Sequence, residues 1–171
     1  MKERIAVVFL VTALLLCVVG EDYRSGPLEE TYQLYYLNAD GDYHGPALAG
    51  ETWKPEDPEA PVEPEDLLRA LLLGPREEGL VSPFPKGVYP GRVDWVDGIV
   101  TVRLSEAYSG LSDMALTLAD YAIVLTLSQL DGVEAVEIQT SGYLTDYRSH
   151  QTLKAEEVMM TDLLAREDSF S

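Results

Sequence analysis

Cysteine is nearly absent: the 171 residues hold one, Cys17. An internal disulfide and a cysteine-built metal site are therefore excluded. Histidine is almost as scarce, with only His44 and His150, each in a polar, turn-like stretch, so exposed loop residues are expected and no metal site. Positive charge is the third shortage. Lys+Arg number 12 against Asp+Glu 30, a formal charge of −18 that repels phosphate backbones and anionic lipid headgroups, and no basic patch relieves it. Nucleic acid is not an expected partner. Also missing is a Gly-x-Ser-x-Gly elbow, which leaves Ser82, Ser105 and Ser109 without the setting of a nucleophile. Paired carboxylates discriminate nothing in a chain this acidic. No catalytic residue and no cofactor are expected, and the chain reads as a non-enzyme.

What is present begins with an address. Lys2 and Arg4 precede an apolar run from Ile5 to Val19 that ends at Gly20-Glu21-Asp22. The run is short of the roughly 20 residues that span a bilayer, so residues 1–20 read as an export segment outside the fold. Three fates stay open. Cys17 is the candidate lipid-attachment residue, although Leu16 stands where a bacterial lipobox wants Gly, Ala or Ser. Val18-Val19-Gly20 suits an ordinary signal peptidase, and uncleaved the run is a signal anchor. Residues 21–30 are a polar spacer.

The remaining composition, 46% hydrophobic, supports one domain over residues 31–144, with a C-terminal extension at 145–171. Thr31 to Asn38 alternates and is rich in aromatics, a first strand that stops at an Asp40-Gly41-Asp42 turn. A calcium loop is rejected there, because Tyr43 and Ala49 stand where its glycine and its final glutamate belong. Tyr43 to Trp53 allows a weak second strand. Pro55, Pro58 and Pro61 make residues 54–63 an extended acidic loop.

The most informative stretch follows. Pro64 suits the first helical position, Glu65 and Asp66 favour the positive helix start, and Gly74-Pro75 caps and breaks the helix. Leu80 to Gly87 is an apolar loop stiffened by two prolines and expected to fold back over the core. Asp97-Gly98 between Arg92–Val96 and Ile99–Leu104 is a hairpin signal, which places Val100, Val102 and Leu104 on one face. Ser112 starts a long, broadly apolar helix that Asp131-Gly132 terminates, with Asp120 expected to face solvent. Val133 to Thr140 is the last strand, and Leu153, Val158, Met160, Leu163 and Leu164 allow a short terminal helix. The order predicts an α+β fold: a small mixed sheet with two helices packed on one face, a βαββαβ-like sandwich.

Leu67 to Pro75, Gly79-Leu80-Val81-Ser82-Pro83-Phe84-Pro85-Lys86-Gly87, Asp97-Gly98-Ile99-Val100-Thr101-Val102, Ala115 to Leu118 and the Leu127 to Val133 helix exit together resemble the GerMN domain of sporulation and spore germination proteins. The resemblance covers about Thr31 to Gly142 and implies an extracytoplasmic domain with no established catalytic set, often lipid-anchored. It also implies a likeness to the ring-building motifs of secretion-type assemblies. The expected function is a non-enzymatic interaction module of the bacterial envelope, tethered through its N-terminus and partnered by an envelope protein or by itself. The alternative is a module that binds a small ligand such as a cell-wall fragment. Leu80, Val81, Phe84, Tyr89 and Trp95 form the candidate binding surface, with Tyr89 and Trp95 as stacking residues.

Detergent-phase partition of the wild type and of Cys17→Ser separates the three N-terminal fates. A lipidated chain leaves the detergent phase when Cys17 is replaced, an anchored one stays there in both forms, and a chain cleaved after Gly20 is aqueous in both.

Overall fold

The computed structural model describes residues 30–39, 46–140, 151–154 and 156–158. Cys17 and the export segment, the spacer through residue 29, the Asp40-Gly41-Asp42 turn and both histidines lie outside the described residues. Among those described, no helix is long and apolar enough to cross a membrane.

Helix α1 runs Pro64–Leu72, with both ends where the residues direct. The Glu63 N–H, which no helical carbonyl reaches, donates to Asp66 Oδ2 (3.0 Å). At the other end Gly74 takes φ +89°, which a side chain would resist, and its N–H donates to Leu71 O (3.2 Å). Leu67, Leu68 and Leu71 are fully buried. Each such side chain stabilises the fold by about 1.5–3 kcal/mol.

Strands β1 (Tyr32–Asn38) and β2 (Leu48–Trp53) pair antiparallel, and β3 (Leu80–Val81) joins the other edge of β1 over two residues, Leu37 and Asn38. Strands β4 (Pro90–Val96) and β5 (Ile99–Leu104) form the expected hairpin. Asp97 at φ +50° and Gly98 at φ +79° are both left-handed, as a type I′ turn requires. Val100, Val102 and Leu104 all point inward and are fully buried. Strand β6 (Ala135–Thr140) lies parallel to β5, and β7 (Gln151–Lys154) closes the order β4-β5-β6-β7. The α+β class is as the sequence implies, but its strands divide into two sheets, β2-β1-β3 and β4-β5-β6-β7. Leu153, expected in a terminal helix, sits in β7 opposite Val136, while residues 156–158 are helical and bury Val158.

Between the hairpin and β6 come a 3₁₀ helix (Glu106–Gly110) and α2 (Asp113–Leu127), with Ser112 at the N-cap as expected. Helix α2 stops at Leu127, four residues before the expected Asp131. Two turns, Leu130 N–H to Leu127 O (3.2 Å) and Val133 N–H to Leu130 O (3.1 Å), carry the chain through Gly132 (φ +90°) to β6. Asp120 corrects a second expectation. It points into the core and is 2% exposed, because a helix with apolar residues around most of its girth leaves few positions facing water.

Helices α1 and α2 pack against each other, α1 also touching β1 and β4 and α2 touching β1 and β6, so the helix layer joins the two sheets. The join is partly polar. Since β3 is so short, the first half of that edge of β1 has no strand beside it, and α2 and its C-terminal turn supply side chains instead. The Gln33 N–H donates to Gln129 Oε1 (2.8 Å) and Gln129 Nε2 donates back to Gln33 O (2.7 Å), a closed pair that imitates a strand pairing. One turn earlier, Thr126 Oγ1 accepts from the Tyr35 N–H (3.2 Å). The Gln129 amide also lies within reach of Leu125 O (3.2 Å) and Thr126 O (3.1 Å), two carbonyls at the helix end that have no helical donor.

Gln129→Ala orphans both backbone groups of Gln33, and its expected cost is about 1–3 kcal/mol in urea unfolding. Gln129→Glu should cost at least as much, since it sets a carboxylate against three carbonyl oxygens. An unchanged midpoint for both variants would mean that this edge is held by packing alone.

Candidate functional site

Among the described residues, Glu51, Ser105, Asp120 and Thr126 are buried polar residues, and each has a partner within the fold. Thr126 meets Tyr35 as described. Ser105 Oγ donates to Gly87 O (2.9 Å) and accepts from the Tyr89 N–H (3.1 Å), which holds the segment between the apolar loop and β4 against the end of β5. Glu51, on the inner side of β2, accepts from the Arg76 N–H (2.6 Å) and the Glu77 N–H (2.8 Å), so one carboxylate oxygen gathers the loop leaving α1. Tyr36 lies beside it. Burial, and after it the Glu51 charge, holds the Tyr36 phenol well above its ordinary pKa of 10. Asp120 Oδ1 accepts from the Tyr108 hydroxyl at 2.5 Å, tying α2 to the 3₁₀ helix in the interior.

The other serines singled out in the sequence are in local turns. Ser82 Oγ accepts from the Phe84 N–H (3.3 Å), and Ser109 Oγ donates to Glu106 O (2.7 Å). Among the described residues, no three His, Cys, Asp or Glu side chains converge in a way that could hold a metal ion.

The five residues of the expected binding surface are spread over the molecule. Leu80 and Val81 sit in β3 at the Leu37–Asn38 end of β1, Leu80 half-buried and Val81 exposed. Phe84 is half-buried, its ring 6.4 Å from that of Tyr108, and neighbouring Pro83 is buried, so the loop folds back over the core. Tyr89 is 65% exposed at the start of β4. Trp95 stands at the far end of the same strand. The β4–β5 register shows why Trp95 differs from its neighbour: it pairs with buried Val100 on the inner face but overhangs the core and remains 40% exposed. Val96 and Ile99, paired next to the turn, are exposed on the outer face. The hairpin tip is therefore apolar on both sides.

Beneath the Trp95 overhang is a groove of about 460 Å³. It is lined by Pro61 and Val62 from the proline-rich loop, by Gln129 to Asp131 after α2, and by Glu30 to Tyr32 at the start of β1. The Tyr32 hydroxyl donates to Glu30 Oε2 (3.0 Å), and its ring meets that of Trp53 at 6.1 Å. Its pKa is raised above 10, first by burial, then by the hydrogen bond and charge of Glu30, then by the charge of Asp131. Both carboxylates thus act on one aromatic residue. Of these residues the sequence singled out Trp95 alone. Tyr32 reads as one strand aromatic among several and Asp131 as a helix terminator, and no spacing links positions 30, 95 and 131.

A family model described as Germane, sporulation and spore germination, matches residues 33–145. Among solved structures, the tandem GerMN domains of the sporulation protein GerM from Bacillus subtilis match with a TM-score of 0.50 and 22% identity, over 78% of this chain and 48% of that one. This chain thus spans about half the length of the tandem protein. The first GerMN domain of the same protein matches with a TM-score of 0.51 and 14% identity, over 74% and 95% of the two chains. At these identities the likeness is one of fold. No curated protein matches the sequence.

Tyr108→Phe removes the hydroxyl facing a buried carboxylate and should cost about 1.5–3 kcal/mol in urea unfolding. Ser109→Ala, at the partly exposed end of the same 3₁₀ helix, should stay within about 0.5–1.5 kcal/mol. Equal effects would show that the interior bond adds nothing particular.

Proposed function

The chain belongs to the Germane family of sporulation and spore germination domains, and from that premise we propose that it is a non-enzymatic docking domain on the extracytoplasmic face of a bacterial envelope. It is tethered through its N-terminus and acts by assembly with an envelope protein or with another copy of itself. The observation that carries this reading is the tip of the β4–β5 hairpin. Trp95, Val96 and Ile99 keep apolar surface in water on a chain of charge −18. Such surface on a rigid two-residue turn costs little further ordering when a partner covers it.

The buried polar groups support the same reading. Ser105, Thr126, Glu51 and Asp120 each hold two parts of the backbone or core together, a structural use of groups that catalysis would need poised towards a substrate. Export is supported by Lys2, Arg4 and the Ile5 to Val19 run, and tethering by Cys17 or by the run itself. The domain is taken as residues 31–144, with the 145–171 extension contributing β7 to its larger sheet. A place in sporulation or germination rests on the family and on the description of the Bacillus subtilis relative as a sporulation protein. The second reading, a cell-wall fragment as ligand, draws on the groove beneath Trp95.

Cross-linking in membrane fractions, followed by native mass spectrometry, tests the docking role. A defined adduct or oligomer is expected, weakened by Val96→Ser with Ile99→Ser. A monomer without adducts at high concentration would refute assembly. Stabilisation by wall fragments in thermal unfolding would then favour the second reading.

A further inference from the structure

We propose that the groove between Trp95 and Tyr32 receives a lysine or arginine side chain of the partner polypeptide, with the two aromatic residues and the Glu30 and Asp131 carboxylates as its cage. The inference rests on the docking reading above and adds the chemistry of the partner.

The lining carries the first part of the argument. Two aromatic residues and two carboxylates face the groove, and among its described lining residues there is no lysine or arginine. The face of an indole or phenol ring attracts a cation, and the attraction grows as water is excluded. The same two carboxylates act on the Tyr32 phenol, whose pKa is raised by burial, then by the hydrogen bond and charge of Glu30, then by the charge of Asp131. The Tyr32 ring therefore lies in the field of both carboxylates.

Long-range charge points the same way. A chain at −18 draws basic partners towards it and repels acidic ones, which raises the encounter rate with a basic segment before any contact forms. The position of the groove favours a polypeptide over a small cationic ligand. Trp95 forms its roof, and Val96 and Ile99 continue the apolar surface from that roof on to the outer face of the hairpin, beyond anything a single amine would cover. An aromatic side chain bordered by apolar contacts and carboxylates is the kind of anchor that concentrates binding energy once a partner covers it.

The test uses the full chain in detergent and dye-labelled hexapeptides of one sequence that differ at a single central residue: lysine, trimethyl-lysine or glutamine. The lysine and trimethyl-lysine peptides should bind alike, and the glutamine peptide about five- to tenfold more weakly. The pair Glu30→Gln with Asp131→Asn should weaken lysine-peptide binding about five- to tenfold, whereas Glu78→Gln with Glu106→Gln, equal in charge but outside the groove, should change it less than about twofold. Trp95→Leu should match the first pair, and Trp95→Phe should retain most of the binding. If Trp95→Leu does not fold, the two charge pairs and Trp95→Phe carry the comparison.

Equal losses for the two charge pairs would reduce the effect to net charge and overturn the cage. So would indifference to the central residue, or Trp95-dependent binding of cell-wall fragments with none of the lysine peptide. Membrane cross-linking keeps the two proposals apart. Adducts that form with the wild type and survive Glu30→Gln with Asp131→Asn would overturn the cage and leave the docking role standing, while their absence from the wild type would remove the docking role itself.

Discussion

The structure depends on a strand edge completed by a helix. Half of one side of β1 has no strand against it, and buried N–H and C=O groups left without partners would each cost about 1–3 kcal/mol. Gln129 and Thr126 remove that cost from the end of α2, the first by a closed pair of hydrogen bonds and the second by accepting one more. Because one of these side chains leaves the last turn of α2 and the other the turn directly after it, they also set where α2 crosses β1. The placement of α2 then sets where β6 returns beside β5, by way of the left-handed turn at Gly132, which passes close to the Trp95 ring.

Glu51, Ser105 and Asp120 follow the same pattern. Glu51 gathers the loop after α1, Ser105 holds the end of the apolar loop to the end of β5, and Asp120 joins α2 to the 3₁₀ helix. Each bond crosses a boundary between elements that apolar packing alone would leave free to slide, because packing is indifferent to small shifts along a smooth surface and a hydrogen bond is not. The result is a frame on which a short apolar hairpin is presented at a defined angle. On the outer face of the larger sheet the pattern is different: Thr101 donates to Glu137 at 3.1 Å, Gln139 to Glu137 at 3.0 Å and Arg103 to Gln139 at 3.0 Å, a polar ladder that suits contact with water. On this sheet the apolar exposure of Trp95, Val96 and Ile99 lies beside the hairpin turn, while Leu73, Val81 and Met114 are exposed elsewhere on the described surface.

Local structure was legible in the residues wherever one backbone conformation demands one residue type. Pro64 and Gly74 bound α1, Asp97-Gly98 make the hairpin turn, and Val100, Val102 and Leu104 choose the buried face of β5 by alternation. The misplaced features all depend on contacts distant in sequence. Asp120 looks like a surface residue until Tyr108 is placed opposite it, and the end of α2 is set at Leu127 by the path needed to reach β6, not by Asp131-Gly132. Strand β7 has little pattern of its own, and pairing with β6 makes it a strand.

The candidate surface shows the same division. Trp95 stands out by composition alone, and the resemblance through Leu67–Pro75, Gly79–Gly87 and Asp97–Val102 names the family, because turns, caps and alternation are properties of neighbouring residues. The sequence by itself determined the shortage of positive charge, the α+β class and the turns at Gly74 and Asp97-Gly98. The tertiary structure alone decided that the strands form two sheets, that Leu80, Val81, Phe84, Tyr89 and Trp95 point to different places, and that Glu30, Tyr32, Trp95 and Asp131 share one groove. The physical reason is that a groove is made by residues far apart in the chain, whose meeting is fixed by sheet register and by the crossing of α2 over β1, neither of which leaves a periodicity to read.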